Sequence, residues 1–238
     1  MGHSAGKWRN GICVRKLTDA ASDEEFVAAF VDCYISVFNS DGDGEWNESW
    51  SREQVREKIF GVAPEVAEKT RVVTASLDAV LTGFSVVHVD VMDKALGLQD
   101  LPPHLQTQEL LTEVKRHLVW LAGEDPVVCN FKEVGIRKEH RQGPSAVMKL
   151  FSDAYASSLE LGAEFACWWT SRNSRMYYLA MSLDGRLVYD CGDKEGHLMM
   201  GEEVKHALRR ITTPGKELVR MLGERLKHHG IHNPYRPS

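Results

Sequence analysis

The sequence predicts a mixed fold of the α/β or α+β class in one domain. The chain has 238 residues, a length that suits a single domain able to bury a sizeable core. Hydrophobic residues make up 43% of it and charged residues 26%, which excludes collagen-like, low-complexity and wholly disordered chains. A strand, a helix and another strand are predicted between Val127 and Thr170. That order is typical of a parallel crossover.

The first third of the chain predicts a strand, two helices and a hairpin. Residues 11–17 alternate between apolar and polar side chains, as a strand does. Ser22 and Glu25 form a capping-box pattern at the start of a helix whose aromatic residues recur at helical spacing. Ser51 begins a second, short helix. Two β-branched runs on either side of Asp78 predict adjacent antiparallel strands joined by a tight turn.

The middle of the chain predicts an extra helix and then the crossover unit. The extra helix begins at Thr107 and ends at Gly123, and its leucines and valines share one face. A strand follows over residues 127–136, a helix over 145–161 and another strand over 165–170.

The tail predicts two short strands and a last helix. The strand-like segments lie near residues 187–189 and 197–200. Thr213 caps the helix and Pro214 occupies its first position. Because no repeat or linker interrupts the pattern, we predict one domain over residues 1–238 with a C-terminal helical extension.

Charge and cysteine pattern exclude several classes of protein. Lys and Arg number 29 against 34 Asp and Glu, a formal net charge of −5, so we expect no nucleic-acid partner. No window approaches the roughly 18 apolar residues of a membrane span, and the first residues lack the apolar stretch of a signal peptide. We therefore expect a cytoplasmic protein with no membrane partner. The five cysteines are widely spaced and form no C-x-x-C pair, which predicts reduced, packed thiols.

The stretch EVGIRKEHRQGPSAVMKLF, from Glu133 to Phe151, has the clearest functional pattern. A buried strand ends at Ile136, a basic loop follows, and residues 143–145 lead into an amphipathic helix. The unpaired N–H groups and partial positive charge of a helix N-terminus, with arginines nearby, favour a phosphate or pyrophosphate. The alternative is an ordinary strand-to-helix turn whose basic residues face water.

This stretch resembles the acetyl-CoA-binding motif of the GNAT superfamily of acyl-CoA-dependent N-acyltransferases. In that motif a strand is followed by a loop of the form [QR]-x-x-G-x-[GA] and then by a helix. Two neighbouring registers match the spacing, one through Arg141, Pro144 and Ala146 and the other through His140, Gly143 and Ser145. In the first register, Pro144 occupies the central glycine position and lacks an N–H, so one donor of the pyrophosphate cradle is missing there.

Two further motifs support the resemblance. Gly83 and Phe84 match the glycine and phenylalanine of the superfamily hairpin. The segment SRNSRMYYLAMSLDG looks like the motif N-x-x-A-x-x-x-Y-x-x-x-G-F, with Asn173 and Gly185 in place. The resemblance covers residues 12–204 and leaves 205–238 as the helical extension. It implies a GNAT-like fold with a mixed sheet, whose two parallel central strands splay apart to admit the pantetheine arm.

The resemblance also implies a reaction and the residues that perform it. The reaction is transfer of an acetyl group from acetyl-CoA to a primary amine by direct attack, with Glu133 as general base. The family's thiolate-protonating tyrosine falls at Ala180, so Tyr177 and Tyr178 are the candidate acids. The implied CoA-binding residues are Val134, Gly135, Ile136, Arg141, Gln142, Gly143, Ser145, Ala146 and Asn173.

Structural alternatives remain open for these catalytic candidates. Glu133 is otherwise a rim residue paired with Lys132 or Arg137. Tyr177 and Tyr178 are otherwise core residues with satisfied hydroxyl groups.

The acidic segment NSDGDGEWNESW, residues 39–50, has three interpretations. It matches the first positions of a calcium loop, but Trp50 stands where the bidentate Glu is required, and we predict no metal. A second interpretation is a solvated loop. It also resembles the acceptor loop of GNAT enzymes related to aminoglycoside 6'-N-acetyltransferases, which implies an aminoglycoside- or polyamine-like acceptor. The implied acceptor-binding residues are Asp43, Glu45, Trp46 and Glu48.

Two functions are therefore open at this level. The first is an N-acetyltransferase that uses acetyl-CoA and a small cationic amine, with a homodimer left open. The second is a non-catalytic acyl-CoA-binding module with a degenerate GNAT fold, which Ala180 and Pro144 would favour.

Overall fold

The computed structural model describes residues 11–39, 49–101, 103–140, 144–172, 174–182 and 184–211. Its strands are β1 (Gly11–Lys16), β2 (Thr70–Leu77), β3 (Val80–Val91), β4 (Val127–Ile136), β5 (Phe165–Ser171), β6 (Arg186–Asp190) and β7 (His197–Glu203). Its helices are α1 (Leu17–Ala21), α2 (Glu24–Phe38), α3 (Arg52–Phe60), α4 (Pro64–Glu68), α5 (Met92–Ala95), α6 (Gln108–Ala122), α7 (Pro144–Glu160), α8 (Arg175–Ser182) and α9 (Val204–Ile211). The strands form one mixed sheet in the order β1-β2-β3-β4-β5-β7-β6.

The parallel pair of β4 and β5 confirms the predicted fold class. Helix α7 connects the two strands, as a crossover helix does. Residues 128–130 of β4 pair with residues 165–167 of β5, and the described parts of both strands continue beyond this ladder. Phe131 and Lys132, the next residues of β4, have no register partner in β5. The strands therefore separate after three paired residues, as a splayed sheet requires.

The chain divides into two compact units. The first comprises Met1–Val86 and Glu133–Ala154, and the second Val87–Lys132 and Tyr155–Ser238. Strands β3 and β4 and helix α7 each contribute residues to both units. One domain with a core over residues 12–204 stays a prediction.

Aromatic side chains of α2 form the centre of the first unit. Phe30, Tyr34 and Phe84 are fully buried. The ring centroids of Phe30 and Phe84 are 4.9 Å apart, and the Tyr34 and Phe84 rings stack at 5.5 Å. These contacts confirm that the helical spacing of aromatic residues in α2 marks a core face.

The start of α2 differs from the predicted capping box. Asp23 caps the helix, because its Oδ1 accepts a hydrogen bond from Phe26 N at 3.0 Å. Asp23 also accepts from Arg15 Nη1 of β1 at 2.8 Å. Ser22 instead donates its hydroxyl to a backbone carbonyl of α1. The box of Ser22 and Glu25 is wrong because the next residue is an equally good cap and gains an arginine partner from β1.

The hairpin and α3 lie where the sequence predicts them. Asp78 and Ala79 have φ values of 50° and 64°, the positive pair that a two-residue hairpin turn needs. Ser51 caps α3 and exchanges hydrogen bonds with Gln54 in a complete capping box.

In the second unit, α6 shares a hydrophobic core with β5, β6 and β7. Thr107 Oγ1 caps α6 by accepting from Leu110 N at 3.2 Å, and Gly123 ends the helix with a φ of 92°. Both ends of the predicted helix are thus confirmed. The core of this unit contains Met92, Ala95, Leu96, Leu101, Leu111, Val114, Leu118, Val128, Phe165, Cys167, Val188 and Met199.

The sequence patterns did not predict the short helices α1, α4, α5 and α9. The helix predicted to begin at Thr213 lies outside the described residues. None of the helices in the described ranges is long and apolar enough to cross a membrane.

All five cysteines are free thiols. Burial raises the pKa of Cys33 to about 11 and that of Cys129 to about 12. These thiols therefore stay protonated near neutral pH, in agreement with the predicted packed thiols.

A buried carboxyl group, that of Glu202, lies in the second unit. Glu202 on β7 is 3% exposed, and the hydroxyl of Tyr155 donates to its Oε1. Its Oε2 is buried with no hydrogen-bond partner among the described residues. Burial raises the pKa of Glu202 to about 7, so the folded protein holds this proton more firmly than the unfolded chain.

We predict that Glu202→Gln removes part of the pH dependence of stability. The stabilising contribution of Glu202 to the free energy of unfolding is fully present below about pH 4.5, its ordinary pKa. It is lost as the pH rises through about 7, its pKa in the folded protein. Gln is neutral at every pH, so at about pH 8 the variant should gain about 1–3 kcal/mol in the free energy of unfolding. Urea unfolding at about pH 5 and pH 8 measures the difference. The exposed neighbour Glu203→Gln is the control, and an equal pH dependence in both variants would contradict the assignment.

Candidate active site

Glu133 lies on β4, three residues before the strand ends at Ile136. Only 12% of its side chain is exposed, and its Oε1 is 2.5 Å from Nζ of Lys58 on α3. The Lys58 side chain is 39% exposed, so water reaches one side of this ion pair and partly screens it. The carboxylate proposed as general base is thus bound to an ammonium group of the same chain.

The ion-pair partner differs from the two residues that the sequence suggested. Lys132 precedes Glu133 on β4 and points to the opposite face, because side chains of a strand alternate. It pairs with Asp100 instead. The guanidinium of Arg137 lies near the thiol of Cys33 and partly offsets the rise in its pKa that burial causes. The structural alternative, in which Glu133 pairs with Lys132 or Arg137, therefore has the wrong partner, because the ion pair is with Lys58.

Three groups surround the ammonium of Lys58. Besides binding Glu133, Lys58 Nζ donates to the hydroxyl oxygen of Tyr34 at 3.2 Å. The same Nζ lies 4.4 Å from the centroid of the Trp50 ring. A carboxylate, a phenol oxygen and an indole face are all favourable neighbours of a primary ammonium. We refer to Tyr34, Trp50 and Glu133 as the ammonium site.

The ends of the acidic segment meet beside the ammonium site. Asn39 Nδ2 donates to the carbonyl oxygen of Trp50 at 2.8 Å, and Asn39 Oδ1 accepts from Trp50 N at 2.9 Å. In the calcium-loop interpretation Asn39 would be the first ligand, but here its amide joins the two ends of the segment. The predicted acceptor-binding residues Asp43, Glu45, Trp46 and Glu48 lie outside the described residues.

The end of β4 packs tightly on β3 and α2. A Cβ on Gly135 would lie 2.8 Å from both Phe84 Cζ and Val37 Cγ1, so no other residue fits there without a shift. Arg137 N donates to Thr82 O of β3 at 2.9 Å. Because N–H directions alternate along a strand, the N–H groups of Val134 and Ile136 point away from β3.

The predicted CoA loop is described only in part. Residues 138–140 form a short 3₁₀ turn, and α7 begins at Pro144, so Ser145 and Ala146 lie in its first turn. A proline at this position suits a helix start. Arg141, Gln142, Gly143 and Asn173 lie outside the described residues.

Tyr177 and Tyr178 lie on α8 in the second unit. Both are half-buried, and their ring centroids are 5.7 Å apart. Ala180, at the family's acid position, is 2% exposed, and its carbonyl accepts from Gly185 N at 2.8 Å. The proposed base and the proposed acids therefore belong to different units.

Lys58 was not among the site residues predicted from the sequence. Lys58 follows Val55 by three residues and precedes Ile59, so it lies next to the buried face of α3. A lysine at the edge of an apolar helix face ordinarily extends its ammonium group to solvent, so the sequence held no specific signal for the contact with Glu133.

The comparisons with known proteins show a likeness to N-acetyltransferases at low identity. An N-acetyltransferase from Staphylococcus aureus Mu50 is 8% identical with a TM-score of 0.49, over 82% of this chain and 99% of that one. Aminoglycoside 6'-acetyltransferase type Ii is 10% identical with a TM-score of 0.49, over 81% and 97%. An N-acetyltransferase from Thermoplasma acidophilum, solved in complex with coenzyme A, is 12% identical with a TM-score of 0.45, over 81% and 98%. No family model and no curated protein matches the chain.

At these identities and TM-scores, the likeness does not indicate the activity of this chain. The observed features are a mixed seven-stranded sheet, a crossover through α7 and a parallel β4–β5 ladder that ends after three residue pairs.

Proposed function

We propose that this protein is an N-acetyltransferase that transfers an acetyl group from acetyl-CoA to a primary amine of a small cationic acceptor. The observation that supports this most directly is the ammonium site on and beside β4. It holds a primary ammonium 2.5 Å from a carboxylate oxygen, which is the contact that a general base needs with its substrate.

The acceptor amine takes the position of the Lys58 ammonium in this proposal. Lys58 and an aminoglycoside or polyamine present the same group, so Tyr34, Trp50 and Glu133 suit either. The Lys58 side chain is 39% exposed and sits on a flexible stem, so it can turn to solvent when the acceptor enters. The acidic residues Asp43, Glu45 and Glu48, with Trp46, would attract the rest of the cation.

Acetyl-CoA binds along the end of β4 and at the start of α7. The N–H groups of the first turn of α7 favour the pyrophosphate. Arg137 precedes the loop, and its Nε is buried without a hydrogen-bond partner in the described part of the chain, so it offers a donor to an anion. The remaining CoA contacts are assigned to Val134, Gly135, Ile136, Arg141, Gln142, Gly143, Ser145, Ala146 and Asn173.

The reaction proceeds by direct attack. Glu133 takes a proton from the acceptor ammonium, and the neutral nitrogen attacks the thioester carbonyl carbon. Backbone N–H groups of β4 stabilise the oxyanion. The C–S bond then breaks, and Tyr177 or Tyr178 protonates the CoA thiolate.

A non-catalytic acyl-CoA-binding module is the second candidate. The buried Ala180 at the position of the family's acid favours it. Release of free CoA thiol from acetyl-CoA, in the presence of polyamines, aminoglycosides and amino-terminal peptides, separates the two functions. Thermal stabilisation by CoA without any turnover would favour the module.

We predict that Glu133→Gln lowers kcat by about 10²- to 10⁴-fold and leaves the CoA dissociation constant almost unchanged. Gln keeps the volume of the side chain but lacks the basic oxygen. A higher pH should rescue the variant more than the wild type, because more acceptor amine is already neutral. Steady-state kinetics at about pH 7 and pH 9 measure both effects. The exposed Glu65→Gln on α4 is the control, and a normal kcat at about pH 7 would remove Glu133 from the mechanism.

We predict that Arg141→Ala weakens CoA binding by about 1–3 kcal/mol, the usual size of a charge-assisted contact to phosphate. Calorimetric titration with CoA measures the change. Arg116→Ala, which removes an exposed arginine of α6 paired with Glu113, should leave CoA binding unchanged. Equal affinity of the wild type and Arg141→Ala would exclude this arginine from the CoA site.

A further inference from the structure

Two imidazoles and two carboxylates converge in the second unit. His197 Nδ1 lies 2.7 Å from Asp193 Oδ2, and His104 Nε2 lies 3.1 Å from the same oxygen. Glu195 Oε2 lies 3.6 Å from His197 Nε2. One ligand atom from each of the four residues falls within 4.8 Å of all the others. We call His104, Asp193, Glu195 and His197 the histidine–carboxylate cluster.

We propose that this cluster is a structural site for one divalent transition-metal ion, with Zn²⁺ as the best fit. Two imidazole nitrogens and two carboxylate oxygens form a ligand set typical of Zn²⁺, whereas Ca²⁺ and Mg²⁺ prefer oxygen ligands alone. Zn–ligand bonds of about 2.0–2.2 Å place neighbouring ligand atoms of a tetrahedral shell roughly 3.3–3.5 Å apart. Asp193 Oδ2 lies 2.7 Å from His197 Nδ1 and 3.1 Å from His104 Nε2, and the four ligand atoms all lie within 4.8 Å of one another, so small side-chain movements would bring them to these separations.

The backbone holds the central carboxylate in place. Asp193 Oδ1 accepts a hydrogen bond from His197 N at 2.8 Å, which closes the turn between β6 and β7. Gly192 and Gly196 flank this turn with φ values of 65° and 69°, which favour glycine. The side chains of Asp193 and His197 are each 12% exposed, so two ligands are positioned before any ion binds.

The other two ligands give an ion access to the site. His104 is 48% exposed and lies in the short turn of residues 103–105, while Glu195 is 70% exposed. A bound ion would tie that turn to the segment between β6 and β7. Since all four positions of a tetrahedral shell are then filled by protein, the expected role is stabilisation of the fold.

The test is metal binding by the full chain after removal of metals with a chelator. We expect one Zn²⁺ per chain by calorimetry, a higher Tm with Zn²⁺, and a tetrahedral visible spectrum with Co²⁺. His197→Ala and Asp193→Asn should weaken Zn²⁺ binding by at least about 10- to 100-fold. The half-exposed His104→Asn should weaken it too, with little risk to folding.

His117→Ala is the matched control, because His117 lies on α6 of the same unit and packs on Tyr189. The chain contains ten histidines, so binding must be assigned through these variants. Zn²⁺ affinity that is unchanged in both His197→Ala and His104→Asn would overturn the proposal. A wild type that takes up no Zn²⁺ or Co²⁺ would also overturn it.

A separate observation concerns Lys58, whose Nζ is the group that the ammonium site holds. We infer that the protein acetylates its own Lys58, an inference that rests on the proposed function. The Lys58 ammonium already contacts the proposed base at 2.5 Å, and with 39% exposure its side chain can move to meet a thioester.

The step balances with acetyl-CoA as the acetyl donor. Glu133 takes a proton from the Lys58 ammonium, Nζ attacks the thioester carbonyl carbon, an N–C bond forms and the C–S bond breaks. The products are acetylated Lys58, CoA thiol and one proton. Acetylation removes the positive charge of Lys58 and so frees Glu133 for an external ammonium.

Incubation with acetyl-CoA alone tests this inference. We expect a burst of about one CoA per chain and one acetyl group that peptide mapping places on Lys58. Lys58→Arg keeps a cation that does not deprotonate and should lose the burst, whereas Lys69→Arg should keep it. Glu133→Gln should slow the burst strongly.

Two outcomes separate this inference from the proposed function. Turnover of external amines with no acetyl group on Lys58 overturns self-acetylation and leaves the proposed function standing. Acetylation spread equally over Lys58 and Lys69 also overturns it, because it indicates non-enzymatic chemistry. Absence of both turnover and burst contradicts both proposals.

Discussion

The close packing at Gly135 determines the position of the functional groups in the first unit. Phe84 and Val37 occupy the space that a Cβ on Gly135 would need, so β4 lies directly against β3 and α2. Because side chains of a strand alternate, Glu133 projects to the same face as this missing Cβ. On that face the carboxylate meets Lys58. A bulkier residue at Gly135 would move β4 and separate the two charges.

The ion pair of Glu133 and Lys58 serves stability and function through the same contact. A carboxylate with 12% exposure needs a partner, because burial of an unpaired charge is costly. Lys58 supplies the partner in the free protein, and the acceptor ammonium supplies it in the proposed complex. Tyr34 and Trp50 contact the Lys58 ammonium in the free protein, and in the proposed complex they would contact the acceptor ammonium at the same place.

Two acidic residues of the second unit, Glu202 and Asp193, have neighbours of other kinds. Burial raises the pKa of Glu202, and the hydroxyl of Tyr155 donates a hydrogen bond to it. Asp193 instead contacts the imidazoles of His104 and His197. These imidazole nitrogens are also suitable ligands for a metal ion. The neighbours that the fold places around a carboxyl group therefore determine its state. Glu202 has a raised pKa, Glu133 binds an ammonium group, and Asp193 lies beside two possible metal ligands.

The sequence by itself determined the local elements that depend on neighbouring residues. The bounds of β4 and the turn at Asp78 follow from apolar runs and turn chemistry, and the bounds of α7 were predicted to within one residue. The cap of α2 could not be predicted to the residue, because Asp23 gained an arginine partner from another element. The order of the motifs along the chain also predicted a mixed sheet with a parallel crossover, which the structure contains.

Tertiary structure alone decided which charges meet. Glu133 binds Lys58 and not a neighbour along the chain, and His104 meets Asp193 across 89 residues. Periodicity reports the element and the face of a residue but not which element packs against that face. Contacts between distant segments depend on sheet order and helix packing, and for this reason the ammonium site and the histidine–carboxylate cluster were visible only in the folded chain.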